Sequence, residues 1–292
     1  MKLSFDHCLN SMLFFKSDQQ CKLKYRLLGG GSTESVFRNK SHMTKNRGYQ
    51  FNYSRGRDVL KNVKGRTQKF KKILSILQDF HSNTRSLNCL DIGCSSGIIT
   101  SSLEDYFSMA IGIDIDQEAV QYAKDHFSSP RVQYLIADSM ALPFRDNAIE
   151  VIICNHIYEH VPNANQMMKE IYRVLKENGF CYFSAANKYM VMEGHYHLPF
   201  LSWIPKRLAH FYLKMTRKGN FYYEEHLSLR GLKQLVRKFR IHDYTLSIIR
   251  EPEKFFATDL FNPKSFLYKW IRLLALYLYS WIPTYIWVLT KK

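Results

Sequence analysis

The stretch Cys89-Leu90-Asp91-Ile92-Gly93-Cys94-Ser95-Ser96-Gly97 limits this chain more than any other. A short apolar run carrying an acid turns on glycines into an apolar, helix-ready segment. Glycine suits that place because the backbone must bend sharply there and lie close to whatever binds. The pattern then repeats. A run from Met109 to Ile113 ends in Asp114, and a run from Val132 to Ala137 ends in Asp138. An acid about twenty residues after a glycine turn is where a ribose-binding carboxylate stands in a nucleotide-binding βαβ unit. Three carboxylates at successive strand ends point to an adenosine-containing cofactor.

The residues argue against a phosphate-bearing one. A dinucleotide fingerprint would need glycines at 93, 95 and 98, where the chain has Gly93, Ser95 and Ile98. No phosphate loop of the G-x-x-x-x-G-K-[ST] kind is present. Asp91 would repel a phosphate and favour a cation, and S-adenosylmethionine carries an ammonium and a sulfonium but no phosphate. On the segments LDIGCSSG, IGIDIDQEAV, LIADSMALPF and IICNHIYEHVPNANQMMKEIYRVLKENG, residues 87–187 resemble the class I S-adenosylmethionine-dependent methyltransferases of the type 11 domain. Ser95 departs from the second glycine that many members have.

The resemblance implies site residues. Asp91, Gly93, Ser95 and Gly97 would hold the methionine part of the cofactor, and Asp114 the ribose hydroxyls, with Ile115 beside adenine. Asp138, with the backbone at Ser139 and Met140, would meet the adenine amino group, and Asn155 would offer its carbonyl to the ammonium. The resemblance also implies that the insertion after the fifth strand forms part of an acceptor pocket.

Strands alternating with helices give the expected fold: an α/β, Rossmann-like, doubly wound and mostly parallel seven-stranded sheet, helices on both faces, last strand antiparallel. Expected strands cover 88–92, 109–114, 132–137, 149–154, 180–186, 241–249 and 284–289. Expected helices cover 97–107, 117–127, 163–176 (closed by Asn178-Gly179), 206–216, 229–239 behind the cap Ser228, and 264–280. A 3.6-residue stripe (Phe70, Ile73, Leu74, Leu77, Phe80) makes 58–80 helical, divided at Gly65, with its basic residues facing away from the core. Residues 1–57 read as a basic arm or cap, and 58–292 as the methyltransferase domain.

Residues 187–227 are unusually aromatic for a connection at a sheet's ligand edge, where long loops usually carry function. They hold His195 and His197, an H-Y-H alternation that would put both imidazoles on one face if extended. With His160 and Tyr158, which follow the fourth strand, these are the candidate catalytic residues, and His195 is the first choice of base. No metal is expected, because these histidines lack a third ligand.

Charge decides what else the chain meets. The net charge is +17, and eleven basic residues against one acid lie between Lys40 and Lys72. Such a run suits an anionic partner such as a membrane surface, or simply a solvated face. Trp270–Leu289 is long and apolar, but Arg272 and Pro283 argue against a membrane span and leave an amphipathic helix able to touch a membrane. Six cysteines without a C-x-x-C pair suit buried thiols, and Met12–Phe15 is too short for a secretory segment. The expected setting is cytoplasmic, with peripheral membrane contact. The expected activity is methyl transfer to a small or lipid-like acceptor. The alternatives are an RNA methyltransferase, against which the absence of an N-P-P-Y-type signature speaks, and a cofactor-binding assembly subunit without catalysis.

Overall fold

A computed structural model describes residues 48–55 and 62–292. The arm 1–47 and residues 56–61, including most of the basic run before Asn62, lie outside the described residues. Seven strands form one sheet: β1 (Asn88–Ile92), β2 (Met109–Asp114), β3 (Val132–Ile136), β4 (Ile149–Asn155), β5 (Leu175–Ala186), β6 (Phe239–Asp243) and β7 (Thr284–Lys291), ordered β3-β2-β1-β4-β5-β7-β6. The first five run parallel, and β7 is antiparallel to both β5 and β6. This is the expected architecture. The order reverses between β1 and β4, so the crevice at the carboxyl ends of these strands is the ligand edge.

The two-residue side-chain period divides the core in two. Leu90, Ile92, Ile111, Ile113 and Cys181 face one layer, which α4 (Ala164–Val174) and α6 (Leu229–Leu235) cover with Met167, Ile171 and Leu232. Cys89, Ala110, Val151, Ile153 and Tyr182 face the other. There α1 (Val63–Phe80) contributes Phe70, Ile73 and Leu77, and α3 (Gln117–Phe127) contributes Val120 and Ala123. A smaller cluster of Leu198, Leu201, Ala209, Leu213 and Tyr222 makes the insertion a packed unit around α5 (Lys206–Met215).

Several boundaries differ from the sequence reading, each for a local reason. Helix α1 passes through Gly65 unbroken, because Asn62 caps it by accepting from the Gly65 amide. Helix α2 (Ile98–Ser102) stops five residues short of position 107, as Ser101 and Ser102 turn their hydroxyls back onto the Ile98 carbonyl. Helix α4 ends before Asn178-Gly179, because the buried Leu175 leaves it in extended conformation and pairs with Ile149. The expected strand 241–249 is β6, followed by α7 (Thr245–Arg250). At the C-terminus α8 (Phe266–Leu274) is shorter than expected and gives way to a 3₁₀ turn at Tyr279–Trp281 before Pro283 and β7. No helix among the described residues is long and apolar enough to cross a membrane.

Candidate functional site

The turn after β1 sets the site. Gly93 and Gly97 have φ of +74° and +79°, which L side chains rarely adopt. A Cβ on Gly97 would stand 2.6 Å from that of Ala123 and 2.9 Å from the Tyr134 ring, so α2 and α3 close only over glycine. A Cβ on Gly93 would meet the end of the Ile157 side chain, which lines the cavity beside it. Ser95 also has a positive φ (51°). Its amide donates to Asp114 Oδ2 at 2.8 Å, and Asp114 Oδ1 accepts from the Asp116 amide at 3.0 Å. The acid ending β2 is thus aimed by the backbone of two loops.

A cavity of about 230 Å³ opens over these strand ends. Of the expected cofactor residues, Gly93, Ser95, Asp114, Ile115, Asp138, Ser139 and Asn155 line it. Asp91, Gly97 and Met140 lie behind the wall. Asp91 is buried and accepts from Thr100 Oγ1 at 2.6 Å. Burial raises its pKa from 3.8 to about 6, against the Thr100 hydrogen bond and the nearby Arg66. Met140 supplies its amide to Asp138 Oδ1 at 2.8 Å, so Asp138 also caps its own turn. The Asn155 side chain accepts from Ser184 Oγ at 2.6 Å, fixing the end of β4.

The candidate catalytic residues separate. His160 and His195 line the cavity with ring centroids 4.7 Å apart. His197 does not join them. Residues 194–196 form a turn rather than extended chain, His197 has φ +53°, and its side chain is exposed. The reason is Glu193, whose carboxylate accepts the amides of His195 and Tyr196 and the His195 Nδ1 proton (2.8, 2.8 and 2.7 Å), winding the H-Y-H run around itself. Tyr158 is buried away from the cavity. Its hydroxyl donates to the Ala186 carbonyl at 2.5 Å and accepts from the Leu227 amide at 3.1 Å, tying both ends of the insertion to the loop after β4.

Residues 48–55, part of the segment expected to be a basic arm or cap, lie across the cavity. Tyr49 donates to Asp138 Oδ2 (2.9 Å), the Ser54 amide donates to Asp116 Oδ2 (2.7 Å), and Gln50 Oε1 meets His160 Nδ1 (2.9 Å). Two basic side chains also turn inward, contrary to the expected outward face: Arg66 and Lys69 line the cavity, while Lys72 pairs with Asp259 at 2.7 Å. Arg66 stands by Asp91 and Asp114, which oppose the lowering of its pKa by burial.

Beneath the two cavity histidines lie three carboxylates without solvent exposure: Glu159, Glu193 and Glu224. Burial drives His160 down to about 3 and His226 to about 4, so both are neutral at pH 7. Burial would also lower His195, but Glu193 and Glu224 outweigh it and raise its pKa. Glu159 is held at about 2, its burial overcome by the His156 hydrogen bond (3.2 Å) and neighbouring histidines. Sequence reading missed Glu193, Glu224 and His226. The run Glu224-Glu225-His226 was the available signal, but its distance from His160 in sequence hid the contact.

Residues 90–183 match the methyltransferase domain family. The chain is 30% identical over 100 residues to a sterol 4-C-methyltransferase of Caenorhabditis elegans, covering 33% of this chain and 30% of that protein. It is 27% identical over 101 residues to a ubiquinone biosynthesis O-methyltransferase of Coxiella burnetii, covering 34% and 43%. It therefore spans less than half the length of these relatives. A protein of Pyrococcus horikoshii OT3 shares the fold, with a TM-score of 0.56, 16% identity, and coverage of 82% of this chain and 98% of that one. The glycine turn, the strand-end acids and these matches together make residues 90–183 a class I S-adenosylmethionine-dependent methyltransferase domain.

Proposed function

We propose that this protein transfers a methyl group from S-adenosylmethionine to a small, lipid-like acceptor. The observation that carries the reading is the convergence of Asp114 and Asp138 on one cavity at the switch point of the sheet, beside a glycine turn backed by Asp91. The lining suits this cofactor. Ser95 Oγ is buried there without a hydrogen-bond partner among the described residues, so the turn has a polar group to offer a ligand. Acids rather than phosphate-binding amides dominate, which favours a cationic amino acid end.

In this reading Asp91, Gly93, Ser95 and Gly97 shape the place of the methionine portion. Asn155 offers its carbonyl to the ammonium, and Arg66 reaches the carboxylate. Asp114 accepts from the ribose hydroxyls, Ile115 packs on adenine, and Asp138 with Ser139 and Met140 borders the adenine edge. Tyr49 and Gln50 hold the covering segment over the site. S-adenosylmethionine brings an already activated methyl group, so the protein's task is alignment and exclusion of water. His160 and His195, the latter from the insertion, line the cavity on what this reading makes its acceptor side.

The aromatic insertion and the C-terminal segment bear on the acceptor class. Trp203 and Trp281 lie 5.5 Å apart and Tyr189 meets both, joining the insertion to the C-terminal segment. In the helices of these two segments Phe211, Met215, Phe266 and Leu273, with Leu276 beyond them, are each more than 60% exposed. Exposed apolar side chains in such number suit a membrane surface from which a hydrophobic acceptor is drawn. The relatives named for sterol and ubiquinone chemistry support that class. Calorimetry tests the cofactor half: S-adenosylhomocysteine should bind with a micromolar Kd, roughly −8 kcal/mol. Asp114→Ala should cost about 1–3 kcal/mol of this. Binding of a nicotinamide dinucleotide in its place would refute the reading.

A further inference from the structure

The carboxylate–histidine cluster under the cavity wall has a feature that packing does not account for. Glu224 is fully buried, yet neither of its oxygens has a hydrogen bond among the described residues; Oε1 lies 3.9 Å from Nδ1 of His160, an imidazole that burial keeps neutral. A buried carboxylate in that condition carries a desolvation cost of several kcal/mol unless something compensates it. His226 is in a related state, with Nε2 buried and unbonded while Nδ1 is engaged by the Tyr222 hydroxyl at 3.0 Å. Both groups sit next to His195, whose Nδ1 is taken by Glu193, leaving Nε2 as its remaining nitrogen.

One donor atom from each of His160, His195 and Glu224 lies within 4.8 Å of the other two, and the same holds for Glu193, His195 and His226. Donors around an ion at 2.0–2.2 Å stand roughly 3–3.5 Å apart, so about an ångström of side-chain adjustment closes such a shell. We propose that His160, His195 and Glu224 form a binding site for one divalent metal ion in the acceptor-side wall of the cavity. The sequence reading discounted a metal because the histidines lacked a third ligand; the fold brings that ligand from position 224.

The surroundings are those of a supported metal site. A ligating histidine commonly gives its other ring nitrogen to a carboxylate or hydroxyl, which fixes its orientation. Glu193 does this for His195. The backbone holds the pieces together: the Glu225 amide donates to the Glu159 carbonyl at 3.0 Å, and Tyr158 ties Leu227 to the same loop. His160 and His195 line the cavity, so an ion has a route in and an open side toward a ligand. Mixed imidazole and carboxylate donors suit Zn²⁺, Fe²⁺ or Mn²⁺ better than Mg²⁺, which prefers oxygen. Resting on the methyltransferase reading, such an ion would face the acceptor, hold a hydroxyl oxygen and lower its pKa.

The test uses the full chain, stripped with chelator, then dialysed separately against Zn²⁺ and Mn²⁺ and measured by plasma mass spectrometry. Co²⁺ titration followed by visible absorption reports the shell directly. The expected result is one ion per chain and a raised Tm. Glu224→Gln, which keeps the volume and removes the charge, should weaken metal affinity at least tenfold and change the Co²⁺ spectrum. It should leave S-adenosylhomocysteine affinity within about twofold. His160→Gln gives a second, independent reading if the first variant folds poorly. Retention of no ion from either metal, or parent-like affinity in both variants, overturns the proposal. Cofactor affinity of the stripped protein is measured separately, so failure of the metal site and failure of the methyltransferase reading give different results.

Discussion

Replacing Asp91 by Asn should stabilise the free protein while weakening its hold on the cofactor. Asp91 is 5% exposed, and burial raises its pKa from 3.8 to about 6. Between those values the folded chain holds a proton that the unfolded chain has released, so stability falls as pH rises through this window. A shift of about two units at 1.36 kcal/mol each makes ionised Asp91 cost about 3 kcal/mol above pH 6, fading to nothing below pH 3.8. Asparagine stands in for the protonated acid and still accepts the Thr100 hydroxyl. At pH 8 the variant should therefore gain up to about 3 kcal/mol, roughly 6–12 °C in Tm. At pH 4.5 the gain should shrink to about 1 kcal/mol. Differential scanning calorimetry of both proteins at the two pH values measures this, and calorimetric titration should show S-adenosylhomocysteine binding weakened by about 1–3 kcal/mol. A variant less stable than the parent at pH 8, or a difference indifferent to pH, would refute the assignment of Asp91 as a charge held in reserve for a cationic ligand.

Other perturbations separate fold from site. Gly97→Ala should lose about 2–5 kcal/mol in denaturant titration, since it adds a left-handed alanine to a clash with the buried Ala123 and Tyr134; an unchanged midpoint would refute the close approach. Arg66→Ala and Tyr49→Phe should each weaken S-adenosylhomocysteine binding without lowering Tm by more than a few degrees. Parent-like affinity in both would remove α1 and the covering segment from the site. Phe266→Ser with Leu273→Ser should reduce co-sedimentation with phospholipid vesicles and leave cofactor affinity unchanged; undiminished sedimentation would refute the apolar face as the membrane contact.

The sheet could be read from the sequence because its signal is local. Apolar runs that carry or end in Asp91, Asp114 and Asp138 mark β1 to β3. The cofactor turn was legible for the same reason, since Gly93 and Gly97 report backbone geometry in single residues. What failed depended on side-chain partners, most of them distant in sequence. Helix α4 ends at Val174 because Leu175 is captured by Ile149, which no property of Asn178-Gly179 reveals. An extended H-Y-H run would put His197 on the same face as His195, but Glu193 winds the chain around itself and separates them. Tyr158 looked like a catalytic neighbour of His160, but its hydroxyl joins Ala186 to Leu227 across long separations. Arg66 and Lys69 belong to the basic stripe of α1 in sequence, yet both line the cavity.

The most direct test of the account follows the methyl group itself. The full chain is incubated with S-adenosylmethionine tritiated in its methyl group, together with a membrane lipid extract, total RNA or protein. Label is then counted in the organic phase and in the RNA and protein fractions. The expected result is label in the organic phase, dependent on intact Asp114 and absent with S-adenosylhomocysteine in excess. Label confined to RNA or protein, or no transfer from a cofactor that calorimetry shows to be bound, would contradict a methyltransferase with a lipid-like acceptor.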